Sequence, residues 1–362
     1  MNSVISFPVN ALKANEHFLA QDIYNTSGVM IARKDSMITK KIIVKLNLHN
    51  VETVMVKKFS TSDIPTVDPV DFEIEFDPKN QYENIREFEE NYNEVADQIK
   101  NNFKEIEEGK EIQPGEIKKI GEDIINHLSH SSNIFSYLSF MKSQDSITFN
   151  HCLNVSIISQ IFGKFLDMDD EEIELLATCA LLHDIGKTKI EPELIYKPGP
   201  LSNDEVNTLQ NHVLHSYKMI ENHDLPQSVK LGVLMHHERV DGSGYIMHYK
   251  GDQIHKFAKI ISIIDIYEAM TQERPYRKKI VPLDALQYIK SISVSKLDYS
   301  LANKFITMTA NSYKDTKVKL NTGHIGEIVF INPKAVNKPL VKVDGTIIDL
   351  TQEVDVKITE AY

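Results

Sequence analysis

Apolar residues follow a helical period almost continuously from residue 145 to residue 313. In one such stretch Val155, Ile158 and Phe162 fall on a single helix face. Residues 314–362 instead form short β-like pieces, separated by Asn, Gly and Pro turns. We therefore expect a mainly α chain whose helical core is followed by a small C-terminal β module.

The region before this core divides into three parts. Residues 1–60 alternate short β-like pieces with one helix, which predicts a small α+β domain with a regulatory or packing role. Residues 61–79 combine scattered prolines with acidic residues, as in an extended linker. Residues 80–144 have a helical and strongly charged pattern. We interpret them as linker helices.

One of these helices carries a narrow apolar stripe. Its members recur at spacings of three and four: Phe88, Tyr92, Val95, Ile99 and Phe103. Narrow stripes on long helices often pair with a helix of another subunit. A homodimer formed through this helical segment is therefore our hypothesis.

Composition excludes several classes of protein. The formal charge of −12 argues against binding polymeric nucleic acid or an anionic membrane. The first ten residues lack a basic region followed by an apolar run, so we expect no signal peptide. No apolar stretch approaches the roughly 18 residues that span a bilayer. These features predict a cytoplasmic protein.

Histidines and aspartates are concentrated in the predicted helical core. An Ala- and Leu-rich helix runs directly into His183 and Asp184, and we expect it to end at Gly186, a natural helix terminator. Asp265 lies within a run of isoleucines. An unpaired carboxylate in such surroundings costs several kcal/mol, which a bound cation would remove. The candidate metal ligands are His151, His183, Asp184, His212, His236, His237 and Asp265.

These five imidazoles and two carboxylates suit Fe, Mn or Zn. Seven ligands are too many for one ion with an open position, and they suit two ions about 3.5–4 Å apart that share a carboxylate. Any one of the histidines, taken alone, is more simply a buried, hydrogen-bonded residue. For all seven together that alternative is weak.

Groups that could bind an anion follow the candidate ligands. Tyr245 ends a Gly-Ser-Gly loop and could stack on a base. Arg274 and Arg277 concentrate positive charge in an acidic chain, and guanidinium groups suit phosphate, although a solvated charged turn is equally consistent. Lys187 can reach the same space as Asp184. The combination indicates hydrolysis of a phosphate ester by a hydroxide generated on the metal.

The pattern resembles the HD-GYP family, a branch of the HD phosphohydrolase superfamily, over roughly residues 145–312. The matching residues are His151 within residues 149–155, His183-Asp184-Ile185-Gly186-Lys187, His212, His236-His237-Glu238-Arg239-Val240-Asp241-Gly242-Ser243-Gly244-Tyr245, Asp265 and Arg274-Pro275-Tyr276-Arg277. Members are helical domains with a di- or trinuclear iron or manganese centre. They hydrolyse the bacterial messenger cyclic di-GMP to pGpG or GMP, and some act on related cyclic dinucleotides.

The resemblance implies a role for each candidate residue. Asp184 would bridge two ions. One ion would also be held by His151, His183 and Asp265, and the other by His212, His236 and His237. Lys187 would lie beside the attacked phosphate, Arg274 and Arg277 would bind phosphate, and Tyr245 would shape a guanine pocket.

Two positions depart from the family pattern. The family's Gly-Tyr-Pro is Gly244-Tyr245-Ile246 here, so the loop lacks a residue of fixed φ. Trinuclear members carry a glutamate one turn before the first histidine, where this chain has Ile147. We therefore expect a binuclear centre.

We expect a metal-dependent cyclic dinucleotide phosphodiesterase, with cyclic di-GMP as its substrate. One alternative is a phosphohydrolase of another cyclic dinucleotide or of a nucleotide. The other is a receptor that binds cyclic di-GMP without hydrolysing it.

Overall fold

The chain has 362 residues, and its structure is a computed structural model. The structure describes residues 4–9, 12, 17–24, 30–32, 34, 38, 42–43, 46, 51, 53–58, 81–108, 110–111, 115, 117, 147–272, 279–353 and 355–361. The chain divides into two compact units, Met1–Phe72 and Glu73–Tyr362.

The first unit contains short antiparallel strands. They are Val4–Pro8 (β1), His17–Leu19 (β2), Ile23–Tyr24 (β3), Met30–Ala32 (β4) and Thr53–Lys58 (β5). Strand β5 lies between β1 and β2, whereas β3 and β4 pair with each other. Buried Leu19, Ile38 and Val56 belong to a core of the unit's own.

Helices make up most of the second unit. They are Gln81–Glu107 (α1), Ile147–Phe165 (α2), Asp170–Leu182 (α3), Pro192–Ile195 (α4), Asn203–Gln210 (α5), His212–Ile220 (α6), Gln227–Met235 (α7), Lys256–Thr271 (α8), Pro282–Ser293 (α9) and Tyr299–Ser312 (α10). Two 3₁₀ turns, Ile185–Lys189 and Gly251–Gln253, connect some of them.

Local sequence signals set several helix starts. Asp169 caps α3 by accepting a hydrogen bond from the Glu172 N–H at 2.8 Å. Ser202 and Glu205 form a reciprocal capping box at the start of α5. These caps fix where α3 and α5 begin.

A five-stranded antiparallel sheet completes the second unit. Its strands are Lys317–Leu320 (β6), Ile325–Asn332 (β7), Ala335–Val343 (β8), Thr346–Asp349 (β9) and Ile358–Ala361 (β10), in the order β10-β6-β7-β8-β9. Buried Val318 and Val341 belong to the same hydrophobic core as the helices. The predicted mainly α fold with a small C-terminal β module is confirmed.

The apolar stripe of α1 is covered by this chain's own residues. Tyr92, Ile99 and Phe103 are at most 1% exposed and share the hydrophobic core of the second unit. The side chain of Phe88 lies outside the described residues. The stripe thus has a partner without a second subunit, and the homodimer stays a prediction.

No helix within the described ranges is both long and apolar enough to cross a bilayer.

Candidate metal centre

The structure brings together all seven candidate ligands. Asp265 lies midway along α8, and His151 lies in the first turns of α2. The others lie at or just beyond helix ends: His183 and Asp184 after α3, His212 at the start of α6, and His236 and His237 after α7. Helix ends leave the backbone free to turn, so side chains from several helices can converge there.

The ligand atoms form two adjacent groups. His151, His183 and Asp265 make one group, and Asp184, His212, His236 and His237 make the other. Within each group the ligand atoms lie within 4.8 Å of one another.

The carboxylate of Asp184 lies between the two groups. Its Oδ2 is 3.4 Å from His183 Nε2 and 3.5 Å from His151 Nε2. Its Oδ1 is 3.1 Å from His212 Nε2 and 3.9 Å from His236 Nε2. Each oxygen therefore faces a different group, as in a carboxylate that bridges two ions.

Backbone hydrogen bonds fix which ring nitrogen faces the centre. The Nδ1 atoms of His183, His212 and His236 lie 2.6–2.7 Å from the carbonyl oxygens of Ala180, Leu209 and Val233. A carbonyl oxygen only accepts, so each Nδ1 carries the hydrogen. Each Nε2 of the neutral ring then directs a lone pair into the centre.

These inward-facing atoms lack protein partners that donate. Asp184 Oδ1, His212 Nε2 and His236 Nε2 are buried, and the described residues provide no hydrogen bond to any of them. His151 Nε2 and His183 Nε2 both face the centre and lie 3.2 Å apart. Such an arrangement is costly without a cation. The residues therefore fit divalent ions with nitrogen and oxygen ligands.

The pKa values of His236, His237 and Asp184 agree with this arrangement. Burial lowers the pKa of His236 and His237 well below the usual range, so both rings are neutral at pH 7. Burial raises the pKa of Asp184, but Lys187 and His183 outweigh it and hold the pKa well below its usual range. Neutral imidazoles and an ionised carboxylate are the forms that bind metals.

Glu268 is a functional residue that the sequence interpretation missed. Its side chain is 3% exposed, and its Oε2 contacts His151 Nδ1. Burial lowers the pKa of His151, but Glu268 and Asp265 raise it to about 9. A carboxylate on the far nitrogen orients a ligating histidine and increases its basicity. Its position one turn after Asp265, in the same apolar helix, was the available signal.

Gly186 has a different role from the predicted one. We expected it to end the preceding helix, but α3 already ends at Leu182. A Cβ at Gly186 would lie 2.3 Å from both His212 O and Ser216 N. The absent side chain thus lets the turn after Asp184 lie directly on α6.

The loop after His237 folds back over the centre. A Cβ at Gly244 would lie 2.5 Å from Arg239 N and from His237 O, so glycine permits this close crossing. The Tyr245 ring stacks on the His237 ring, with 4.7 Å between centroids.

Three side chains lie at the exposed side of the metal centre. The side chains of Asp265, His237 and Lys187 are 13%, 15% and 20% exposed, whereas that of Asp184 is 1% exposed. Lys187 Nζ contacts Asp184 Oδ2. Arg274 and Arg277 lie outside the described residues, and their phosphate-binding role stays a prediction.

Comparisons with known proteins support this assignment. Residues 128–301 match the family model described as HD domain. The chain is 24% identical over 242 residues to the cyclic di-GMP phosphodiesterase PA4108 of Pseudomonas aeruginosa, covering 67% of this chain and 58% of that protein. It is 31% identical over 138 residues to the response regulator RpfG of Xanthomonas campestris, a cyclic di-GMP phosphodiesterase, covering 37% of this chain and 36% of that protein.

A third relative differs in the substrate that it is named for. The 3'3'-cGAMP-specific phosphodiesterase 1 of Vibrio cholerae is 30% identical over 173 residues, covering 48% of this chain and 40% of that protein. The chain thus spans less than two thirds of the length of these relatives.

A solved structure shares the fold. The HDG"Y"P protein Bd1817 of Bdellovibrio bacteriovorus aligns with a TM-score of 0.50 at 15% identity, covering 84% of this chain and 99% of that one. Residues 128–301 of this chain thus match the HD domain family, in agreement with the resemblance that the motifs around His183 and Asp184 carry.

Proposed function

We propose that the chain is a cytoplasmic, metal-dependent phosphodiesterase that hydrolyses a cyclic dinucleotide. The observation that carries the proposal is the position of Asp184, whose two carboxylate oxygens face two separate groups of ligand atoms. Two divalent ions, Fe or Mn by the family resemblance, would supply Lewis-acid charge and an activated water molecule.

The residues of this chain have distinct tasks in that reaction. His151, His183 and Asp265 would hold one ion, His212, His236 and His237 the other, and Asp184 both. Lys187, at the exposed side beside Asp184, would bind the anionic phosphodiester and stabilise the charge that develops on its oxygens. Tyr245, stacked on His237, would form a wall for the base.

Cyclic di-GMP is the substrate that we favour. The relatives PA4108 and RpfG are named for it, whereas the Vibrio cholerae relative is named for 3'3'-cGAMP. Both molecules are cyclic dinucleotides with two phosphodiester bonds, and the centre described above suits either.

The test is product formation from each dinucleotide by the full chain loaded with Mn²⁺ or Fe²⁺ under anaerobic conditions. We expect pGpG or GMP from cyclic di-GMP in chromatography. Asp184→Ala removes the ligand common to both groups, so its rate should fall at least about a hundred-fold, beyond the effect typical of residues that only support a ligand.

Asp252→Ala is the matched control, because it removes an exposed carboxylate outside the two ligand groups. Its rate should equal that of the wild type. If the fully loaded wild type binds the dinucleotide tightly but does not hydrolyse it, the proposed enzymatic function is wrong and the protein is a receptor.

A further inference from the structure

A chain of buried hydrogen bonds joins helix α1 to the metal centre. Tyr92 of α1 donates from its hydroxyl to Asn154 Oδ1 at 2.7 Å. Asn154 Nδ2 donates to Glu268 Oε1 at 2.9 Å, and Glu268 Oε2 contacts His151 Nδ1. Tyr92, Asn154, Glu268 and His151 are each at most 4% exposed.

The direction of these bonds is determined by their chemistry. An ionised Glu268 only accepts, so it takes hydrogens from both Asn154 Nδ2 and His151 Nδ1. The amide oxygen of Asn154 is then turned to the Tyr92 hydroxyl, which donates to it. The far end of the chain is His151 Nε2, which lies 3.2 Å from Asp265 Oδ1 in the first ligand group.

Tyr92 lies outside the part of the chain that matches the HD domain family model. The match covers residues 128–301, whereas α1 spans Gln81–Glu107. In sequence, α1 follows the first compact unit, which ends at Phe72. The Tyr92 hydroxyl also lies 3.3 Å from Asn150 O, and the Phe103 ring packs edge-on against Phe149 at 5.2 Å. Helix α1 is thus seated on the turn of α2 that carries His151.

We propose that Tyr92 is a positioning residue of the metal centre, through which helix α1 sets the orientation of His151 and the affinity of the first ligand group for its ion. The proposal adds to the proposed function, and it rests on one part of that function, namely that the centre binds metal ions. Loss of the Tyr92 hydroxyl would free the Asn154 amide to rotate, and the Glu268 carboxylate that orients His151 would lose its fixed partner.

The test compares Tyr92→Phe with the wild type in the full chain. Mn²⁺ affinity is measured by competition with a chelator, and the absorption spectrum of the Co²⁺-loaded protein is recorded. One neutral hydrogen bond corresponds to roughly a two- to ten-fold change in an equilibrium constant. We expect a loss of that size for one ion and a shifted Co²⁺ spectrum.

Tyr313→Phe is the matched control, because its hydroxyl is also buried and lies 3.2 Å from the Tyr267 hydroxyl. It should lower the melting temperature comparably, with the Mn²⁺ affinity and the Co²⁺ spectrum unchanged. In an Asn154→Ala background, Tyr92→Phe should have no further effect on affinity, because the chain is already interrupted.

The proposal is overturned if Tyr92→Phe keeps the wild-type affinity and spectrum, or if its effect is fully additive with that of Asn154→Ala. A wild type that binds both ions but hydrolyses no dinucleotide would overturn the proposed function alone. Metal affinity would still report the role of Tyr92 in that case.

Discussion

Four histidines of the metal centre are each oriented by a hydrogen bond to the ring nitrogen that faces away from the centre. For His183, His212 and His236 the partner is a carbonyl of the preceding helical turn, so the helix itself orients the ring. For His151 the partner is the Glu268 carboxylate, which lies on another helix. Of these four histidines, His151 is therefore the one whose orienting partner a side-chain substitution can remove.

Glu268→Gln should lower the affinity for Mn²⁺ by about 10–100-fold, the range typical of residues that support a ligand. The amide has no charge, and an amide nitrogen facing His151 Nδ1 favours the tautomer with the hydrogen on Nε2, which cannot bind metal. Chelator competition measures the loss. Glu172→Gln, which removes only an exposed carboxylate 3.2 Å from Lys256 Nζ, is the control and should bind as the wild type does. Equal affinity in both variants would contradict the role of Glu268.

At the scale of elements, the centre depends on the contact between the 3₁₀ turn Ile185–Lys189 and helix α6. The Gly186 N–H donates to Ser216 Oγ at 2.8 Å, and the missing side chain leaves room for the α6 backbone. This contact holds Asp184, just before the turn, beside His212 at the start of α6.

Gly186→Ala should lower the free energy of unfolding by about 1–3 kcal/mol, the usual cost of overpacking. The added Cβ would meet backbone atoms, which cannot rotate away as a side chain can. Metal affinity should fall as well, since the turn must move from α6. Chemical denaturation and chelator competition measure the two effects.

Gly115→Ala is the control for that substitution. Its Cβ would meet its nearest neighbour, Glu174 Oε1, at an ordinary 3.6 Å. Stability should be unchanged or slightly higher, because alanine favours a helix. A Gly186→Ala variant as stable as this control would show that the close contact is not needed.

At the scale of the whole molecule, the described residues contain two groups that could hold a metal ion, both in the second unit. We expect two ions per chain, because Ile147 replaces the glutamate that trinuclear members of the family carry. Mass spectrometry of anaerobically loaded protein measures the metal content. Three tightly held ions per chain would make the binuclear prediction wrong, and Asp184→Ala should retain fewer than two.

Much of the architecture could be predicted because it depends on local pattern. The helical period of the core and the strand pattern after it each follow from which faces must be buried, and the mainly α fold with a small C-terminal β module is confirmed. The ligand residues could be singled out because histidines and aspartates in apolar helices require a partner. The role of Gly186 could not, since a glycine after a helix has the same local signature whether it ends the helix or admits a neighbour.

By itself, the sequence determined the helical core, the β module and the set of seven candidate ligands, because these rest on periodicity and residue chemistry. Its motifs also carried the resemblance to the HD family. Only the tertiary structure decided that Glu268 supports His151 and that the apolar stripe of α1 is covered within the chain. The tertiary structure alone connected Tyr92 to the centre. Tyr92 and Asn154 are 62 positions apart in sequence, and Asn154 and Glu268 are 114 positions apart. Such contacts depend on how helices pack, and no local pattern encodes that.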